Sequence, residues 1–166
     1  MFDFLKAKKK AKFVDKETSL IEAELDKASD LDTFLDENSN SMNHPSLGGF
    51  ITKYLIDHNI EKNDFVNTAM YAGFVRQYVY EIADPKKNIK CSQDKLAAIA
   101  LILGMTVDEA NHMMQYAGIN TLYVKNPRDA VLSYAIKNNL SISDTNDLLI
   151  SRNFEPLELS KERKSK

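Results

Sequence analysis

The sequence predicts an all-α protein. Apolar residues recur at the three- and four-residue spacing of amphipathic helices, and residues that cap helix starts stand between these stretches. No segment alternates apolar and polar side chains over the length of a strand, and the apolar link Leu122-Tyr-Val is too short to form one. The predicted N-terminal caps are Asn63, Ser92, Thr106, Asn126 and Ser141, the last three of which precede an acid by three residues.

Residues 1–16 form a basic arm that we expect to be mobile, because regular apolar spacing and caps are confined to the middle of the chain. Phenylalanines among the lysines would also suit the surface of an anionic membrane. A mobile arm that can contact phosphate groups is the simpler interpretation, so we do not expect membrane binding. The lysines are Lys6, Lys8, Lys9, Lys10 and Lys12, and the apolar residues are Phe2, Phe4, Leu5 and Phe13.

Residues 17–38 are predicted to form one amphipathic helix, with apolar residues on one face and carboxylates on the other. Residues 39–48 are rich in Asn, Ser, Pro and Gly and lack periodicity, which predicts a linker. The compact domain is therefore expected to begin at residue 49. The apolar residues of the predicted helix are Leu20, Ile21, Leu25, Ala28, Leu31, Phe34 and Leu35.

Alignment of the chain with itself indicates three helix-turn-helix hairpins. Residues 50–74 align without gaps on residues 130–154, and residues 95–119 fit the same frame. Any pair of amphipathic helices that ends in Asn or Gly would align about as well, so a true internal repeat is one of two interpretations. Under either interpretation each hairpin has one apolar stripe that a neighbouring hairpin must cover.

The alignment also predicts where the backbone turns. Asn59, Gly104 and Asn139 stand at the end of the first helix of the three hairpins, where a left-handed residue is expected. Gly73 and Gly118 take the same role after the second helix of the first two hairpins.

A further short helix, residues 74–82, follows the first hairpin and ends before Pro85, because proline disfavours helix at the preceding residue. Ala69 and Gly73, four residues apart, bracket the tight turn before this helix, and the aliphatic Val79 lies within it. In this pattern the chain resembles the lambda-repressor-like (xenobiotic-response-element type) helix-turn-helix DNA-binding domain.

The resemblance covers residues 49–119 and implies an all-α fold with a lambda-repressor-like helix-turn-helix core. A further helical hairpin, residues 120–157, is expected to extend this core, and the N-terminal amphipathic helix precedes it. Residues 161–166 are polar and lack apolar anchors, and residues 158–166 are therefore expected to form a flexible tail.

By the same resemblance, helix 74–82 enters the major groove of duplex DNA. Arg76 and Gln77 take the positions of base-edge contacts, since arginine pairs with guanine and glutamine with adenine, and Tyr80 faces the same way one turn later. Phosphate contacts fall to Lys86, Lys87 and Lys90 in the following turn. We therefore expect a sequence-specific transcriptional regulator, acting as a homodimer because one short helix reads few base pairs.

Two residues depart from the family pattern. Phe65 stands where the family usually has a glutamine, and Val75 where a small hydroxyl residue caps the helix that contacts DNA. Both changes weaken DNA binding, and the net charge of −2 gives no overall attraction to a polyanion. The alternative function is a non-enzymatic protein-interaction adaptor that keeps the fold without binding DNA, with Phe65 and Val75 on its contact surface.

No catalytic, metal or cofactor site is expected. His44, His58 and His112 are too widely spaced for a metal cluster. Cys91 is the only cysteine and has no nearby histidine to activate it as a nucleophile. The chain has no glycine-rich phosphate loop, and the lack of a hydrophobic leader or long apolar run predicts a cytoplasmic protein.

Overall fold

The computed structural model describes residues 18–42 and 46–159, and all the regular secondary structure within these ranges is helical. The predicted basic arm, residues 1–16, lies outside the described residues, as do residues 160–166 of the predicted tail. The helices are α1 (Thr18–Lys27), α2 (Leu31–Met42), α3 (Leu47–Asp57), α4 (Lys62–Tyr71), α5 (Arg76–Ile82), α6 (Gln93–Leu103), α7 (Val107–Tyr116), α8 (Pro127–Lys137) and α9 (Ile142–Ser151).

Three helical hairpins, α3–α4, α6–α7 and α8–α9, share one construction. The second helix begins at Lys62 in the first hairpin, 45 residues later at Val107 in the second and 80 residues later at Ile142 in the third, and it has ten residues each time. These two offsets are those of the sequence alignment. The three aligned stretches therefore fold as equivalent helix pairs.

The turns repeat as well. A left-handed φ occurs at six of the described residues, one after each helix of each hairpin. The residue that follows each of them donates its N–H to the carbonyl five residues earlier, at 2.8 to 3.0 Å, which closes the helix end. The prediction is confirmed at five positions, and the sixth, Asn153, aligns with Gly73. The six are Asn59 (53°), Gly73 (109°), Gly104 (64°), Gly118 (66°), Asn139 (51°) and Asn153 (62°).

Four of the five predicted N-caps are confirmed, because each accepts a hydrogen bond from an amide of the first helical turn: Ser92, Thr106, Asn126 and Ser141. Thr106 and Glu109 form a reciprocal capping box. The prediction for Asn63 is wrong. Glu61 precedes α4 without a side-chain cap, and Asn63 lies inside the helix, where its amide oxygen accepts from the Tyr80 hydroxyl at 3.1 Å.

The second and third hairpins hold each other in a reciprocal arrangement. Asp94, at the start of α6, accepts from the Glu158 N–H at 3.1 Å, and Asp129, at the start of α8, accepts from the Tyr123 N–H at 3.0 Å. Each aspartate therefore fixes the extended segment that follows the other hairpin. Arg128 strengthens the contact with two hydrogen bonds to Asp94, at 2.8 and 3.1 Å.

In each of these two hairpins, an asparagine of the second helix holds the segment that follows the same hairpin. Asn111 accepts from the Leu122 N–H at 2.9 Å, and Asn146 accepts from the Leu157 N–H at 2.8 Å. Both leucines are buried. The sequence prediction that residue 158 begins a flexible tail is therefore wrong for the first two positions, since Glu158 is hydrogen-bonded to α6 and Leu159 packs against the core.

The first hairpin lacks the groups that hold these segments. Gly49 aligns with the two aspartates and Val66 with the two asparagines. The segment after α4 is not held in this way and forms helix α5 instead. A Cβ on Gly48 would lie 2.2 Å from the backbone oxygen of Asp84, so glycine permits the close approach of the chain that leaves α5.

Helix α6 lies at the centre of the core. All eight residues from Leu96 to Leu103 are buried, and α6 packs against α4, α7, α8 and α9. Helix α3 packs against α5 and α7, so the first hairpin covers one side of the second hairpin while the third covers another. In this arrangement the apolar stripe of each hairpin is covered by a neighbouring hairpin.

The single helix predicted over residues 17–38 is wrong, because the structure divides it between Lys27 and Leu31. Asp30 starts α2 by accepting from the hydroxyl of Thr33 at 2.7 Å and from its backbone N–H at 3.0 Å. These hydrogen bonds lower the pKa of the Asp30 carboxyl below its ordinary value, with the hydroxyl bond contributing most.

The boundaries of the predicted linker also change. Helix α2 continues to Met42, and α3 begins at Leu47, where Ser46 caps it by accepting from the Gly49 N–H at 3.1 Å. Helices α1 and α2 pack against each other, and their outward apolar residues are exposed: Leu20, Leu25, Leu31 and Leu35.

Candidate nucleic-acid interface

Helix α5 is anchored on one face and exposed on the other. Val79 and Ile82 are buried, as their spacing opposite Arg76 and Gln77 predicts, and the helix packs against α3 and α4. Arg76 and Gln77 are exposed. The helix begins at Arg76, two residues later than predicted, because Phe74 is buried before it and Val75 has an extended backbone.

Hydrogen bonds from neighbouring elements hold the backbone carbonyls at the C-terminal end of α5. The Thr52 hydroxyl and the Lys62 ammonium group donate to the Ala83 carbonyl at 3.0 and 3.3 Å, and the Ser46 hydroxyl donates to the Pro85 carbonyl at 2.8 Å. Because α3 and α4 supply these donors, α5 is fixed at its C-terminal end although its start has no side-chain cap.

The candidate DNA-contacting side chains differ in the contacts that they already make within the protein. The Gln77 amide donates to Glu81 at 2.8 Å, and the Lys87 ammonium group lies 3.1 Å from the same carboxylate oxygen. The structure thus brings Gln77 and Lys87 together through Glu81. One N–H of each side chain is therefore already used in a contact within the protein.

Tyr80 is half-buried, and two residues of α4 hold it. Its hydroxyl donates to Asn63 at 3.1 Å, and the Lys62 ammonium nitrogen lies 5.7 Å from the centre of its ring. The phenol therefore ties α5 to α4. Lys86 and Lys90 are exposed, and the backbone N–H of Lys86 donates to the Asp84 carboxylate at 2.9 Å.

Phe65 corrects one expectation. It is fully buried, so it can contact neither DNA nor a partner protein, and its bulk fills the core. Val75 is 56% exposed and has no capping hydrogen bond. With Tyr71 (72% exposed) and Met70 (37% exposed) it leaves apolar side chains open around the turn between α4 and α5.

The contacts on the other side of α5 have no signal in the sequence. The Lys95 ammonium nitrogen lies 4.2 Å from the centre of the Tyr78 ring, and this ring stacks on Phe74 with a centroid distance of 6.0 Å. Cys91 lies close by, and burial raises the pKa of its thiol to about 11. These contacts join α5 to the start of α6.

Within residues 18–42 and 46–159, no three His, Cys, Asp or Glu side chains are placed to hold a metal ion together. None of the helices described there has both the length and the apolar character needed to cross a bilayer. Comparison of the chain with models of known protein families, with curated proteins and with solved structures found no match.

Proposed function

We propose that this protein is a sequence-specific duplex-DNA-binding transcriptional regulator in which α5 enters the major groove. The observation that carries the proposal is that, within residues 46–159, α5 is the one helix that belongs to none of the three hairpins, and it follows the first of them. At this place the chain departs from its own repeat through Gly49 and Val66, and the helix that results projects Arg76 and Gln77 into solvent. The likeness of this segment to the lambda-repressor-like family favours the same role.

The dimensions suit a groove. A helix with its side chains is about 10 to 12 Å across, which a major groove about 12 Å wide admits, and the seven residues of α5 extend about 10 Å along its axis. Arg76 and Gln77 lie at the first turn and would contact base edges. Lys86, Lys87 and Lys90 follow the helix and would contact phosphate oxygens. Because the hydroxyl of Tyr80 already donates to Asn63, we assign Tyr80 the role of holding α5 in position.

The test begins with selection of sites from random duplex DNA by the purified chain. Arg76→Ala should relax the preference at one base pair and reduce the binding free energy by about 1 to 3 kcal/mol. Lys86→Ala should weaken binding to all sequences alike and flatten the dependence of log affinity on log salt by about one unit. Lys137→Ala, at the exposed end of α8, is the matched control and should leave both properties unchanged.

A homodimer forms part of the proposal, since one helix of this length reads too few base pairs for useful selectivity. Selected sites should then be inverted repeats whose half-sites are one helical turn apart. Failure to recover any site, with weak binding even at low salt, would contradict the proposed function.

The exposed apolar turn supports a second candidate function. Tyr71, Val75 and Met70 form the open apolar surface that a protein-interaction adaptor would use, and this surface borders Arg76. Tyr71→Ser with Val75→Ser should then abolish capture of a defined protein partner, while Arg76→Ala leaves it intact. The opposite pattern, with the apolar pair dispensable and Arg76 essential for DNA binding, favours the regulator.

A further inference from the structure

The three hairpins contact one another through two different faces. Between the second and third hairpins, the two first helices, α6 and α8, pack on each other, and Asp94 and Asp129 each hold the segment after the other hairpin. Between the first and second hairpins, each first helix packs instead on the second helix of the other, α3 on α7 and α6 on α4. Both contacts are reciprocal, so in each of them the two hairpins present the same face to each other.

Burial identifies apolar positions on the face that joins the first two hairpins. Three aligned positions are buried in both of these hairpins: Ile51 and Leu96, Tyr54 and Ile99, Ile60 and Met105. In the third hairpin the aligned residues are Val131, Tyr134 and Leu140. Tyr134 is 57% exposed, and the other two are partly exposed. These three residues form the free face of the third hairpin, which neither of the other two hairpins covers.

Tyr54 shows what this face contacts when it is paired. Burial raises the pKa of the Tyr54 phenol, and the Glu109 carboxylate in the first turn of α7 raises it further, so the hydroxyl lies near the start of α7. One turn earlier in α3, the centre of the Phe50 ring lies 5.0 Å from that of Tyr116 at the end of α7. Asp144, in the first turn of α9, aligns with Glu109, as Tyr134 aligns with Tyr54.

The other face of the first hairpin is already in use. Thr52, whose aligned residues in the other two hairpins are buried, donates to the Ala83 carbonyl at 3.0 Å. Gly48, one turn earlier, packs closely on the backbone of Asp84. The chain that leaves α5 therefore lies where a further hairpin would pack, so copies of the protein cannot add to one another without limit through this end.

We infer that the free face of the third hairpin binds the same face of a second copy of this chain, which forms a closed two-fold homodimer. The identity of the partner follows from the reciprocal contact. A face that pairs with its own equivalent within the chain is complementary to itself, and a second copy supplies that face. In this dimer Tyr134 lies near the partner's Asp144. For the role of the dimer in contacting inverted half-sites, the inference rests on the proposed function.

Sedimentation equilibrium of the full-length protein without DNA measures the association. Helix α8 has eleven residues and is about 16 Å long, so the free face is small for a protein interface. The wild type should therefore show a monomer and a dimer in reversible equilibrium, with the monomer favoured on dilution.

Tyr134→Asp should raise the dissociation constant of the dimer by about 30-fold or more, because a central tyrosine is lost and a carboxylate is placed near the partner's Asp144. Tyr134→Ser adds no charge and should weaken the dimer less. Circular dichroism should show the same helix content in both variants, since the side chain is exposed within one chain.

Ile150→Ser is the matched control. Ile150 lies in the same hairpin and is 56% exposed, and the aligned residues Met70 and Gln115 are exposed as well, so this position belongs to neither face. The control should dimerise as the wild type does. Lys137→Ala should do the same, because Lys137 lines a cavity with Thr106 and Asp108 at the contact with the second hairpin.

Two further measurements locate the interface. In mixed samples of isotope-labelled and unlabelled protein, NOEs between protomers should join the Tyr134 ring to the first turn of the partner's α9. Site selection with Tyr134→Asp should recover single half-sites in place of inverted repeats, with the preference inside a half-site unchanged.

Three results would overturn the inference: a wild type that stays monomeric, a dimer that Tyr134→Asp leaves intact, or a dimer that Ile56→Asp on the first hairpin disrupts. Site selection and Arg76→Ala would still test the DNA contact in each case. A dimer that depends on Tyr134, in a protein that selects no DNA site, would support the inference and contradict the proposed function.

Discussion

Gly48→Ala is the substitution that most directly tests how α5 is held. The added methyl group would lie 2.2 Å from the Asp84 carbonyl oxygen, 2.5 Å from its carbon and 3.0 Å from its nitrogen. All three atoms are backbone, so no side-chain rotation relieves the overlap. The chain after α5 must withdraw from α3.

The loss of stability follows from the overlap and from the hydrogen bonds that break when the chain withdraws. Overpacking of this kind costs about 1 to 3 kcal/mol. The hydrogen bonds from Ser46 to Pro85 and from Thr52 to Ala83 contribute about 1 kcal/mol each and would break. Alanine gains about 1 kcal/mol over glycine within a helix. The free energy of unfolding should therefore fall by about 2 to 4 kcal/mol, a large share of the roughly 5 to 15 kcal/mol typical of a domain.

Urea unfolding followed by circular dichroism measures the total, and native-state hydrogen exchange shows where it acts. The amides of α5 should lose more protection than those of α8. Gly118→Ala is the control, since Gly118 has a φ of +66° and no atom within 4 Å of an added Cβ. It should cost about 1 to 2 kcal/mol without a selective effect on α5. A Gly48→Ala protein as stable as the wild type, within about 0.5 kcal/mol, would refute the close-approach argument.

Further predictions concern other contacts. Glu81→Gln should raise affinity for DNA, because the carboxylate that binds Gln77 and Lys87 is removed, and an unchanged affinity would contradict this. Asn111→Ala and Asn146→Ala should each lower the free energy of unfolding by about 1 to 2 kcal/mol, since each leaves a leucine backbone amide unpaired. Urea titration would measure the two losses, and a clear inequality between them would contradict the equivalence of the two sites. Cys91, with its pKa raised from 9.0 to about 11, should react with iodoacetamide at pH 8 about 10-fold more slowly than a free cysteine, because the lower thiolate fraction is partly offset by the greater nucleophilicity of the more basic thiolate. Unfolding should remove the difference. Because the pKa of Asp30 is lowered in the folded protein, its carboxylate cap should stabilise α2 fully at pH values above 3.8, and this stabilisation should be lost as the pH falls through the lower, folded-state pKa. An NMR titration of the α2 amides would detect the loss, and Asp30→Ala would abolish it.

The sequence by itself determined the helical class and most of the helix ends in the three hairpins. Capping side chains and left-handed residues act within a few positions of the chain, so Ser92, Thr106, Asn126 and Ser141 could be assigned without knowledge of any tertiary contact. The same local logic located the turns at Asn59 and Gly104. It failed at Asn63, whose partner Tyr80 is seventeen residues away.

The tertiary structure decided what the local pattern left open. The break at Asp30 is different, because its signal is local: the hydroxyl and N–H of Thr33, three residues later, donate to its carboxylate and start a new helix where the apolar spacing alone predicted one continuous helix. The buried position of Phe65 and the path of Leu159 to Gly73 each depend on segments brought together by packing. Apolar burial and hydrogen bonds between distant residues set these contacts, and neither has a fixed spacing along the chain.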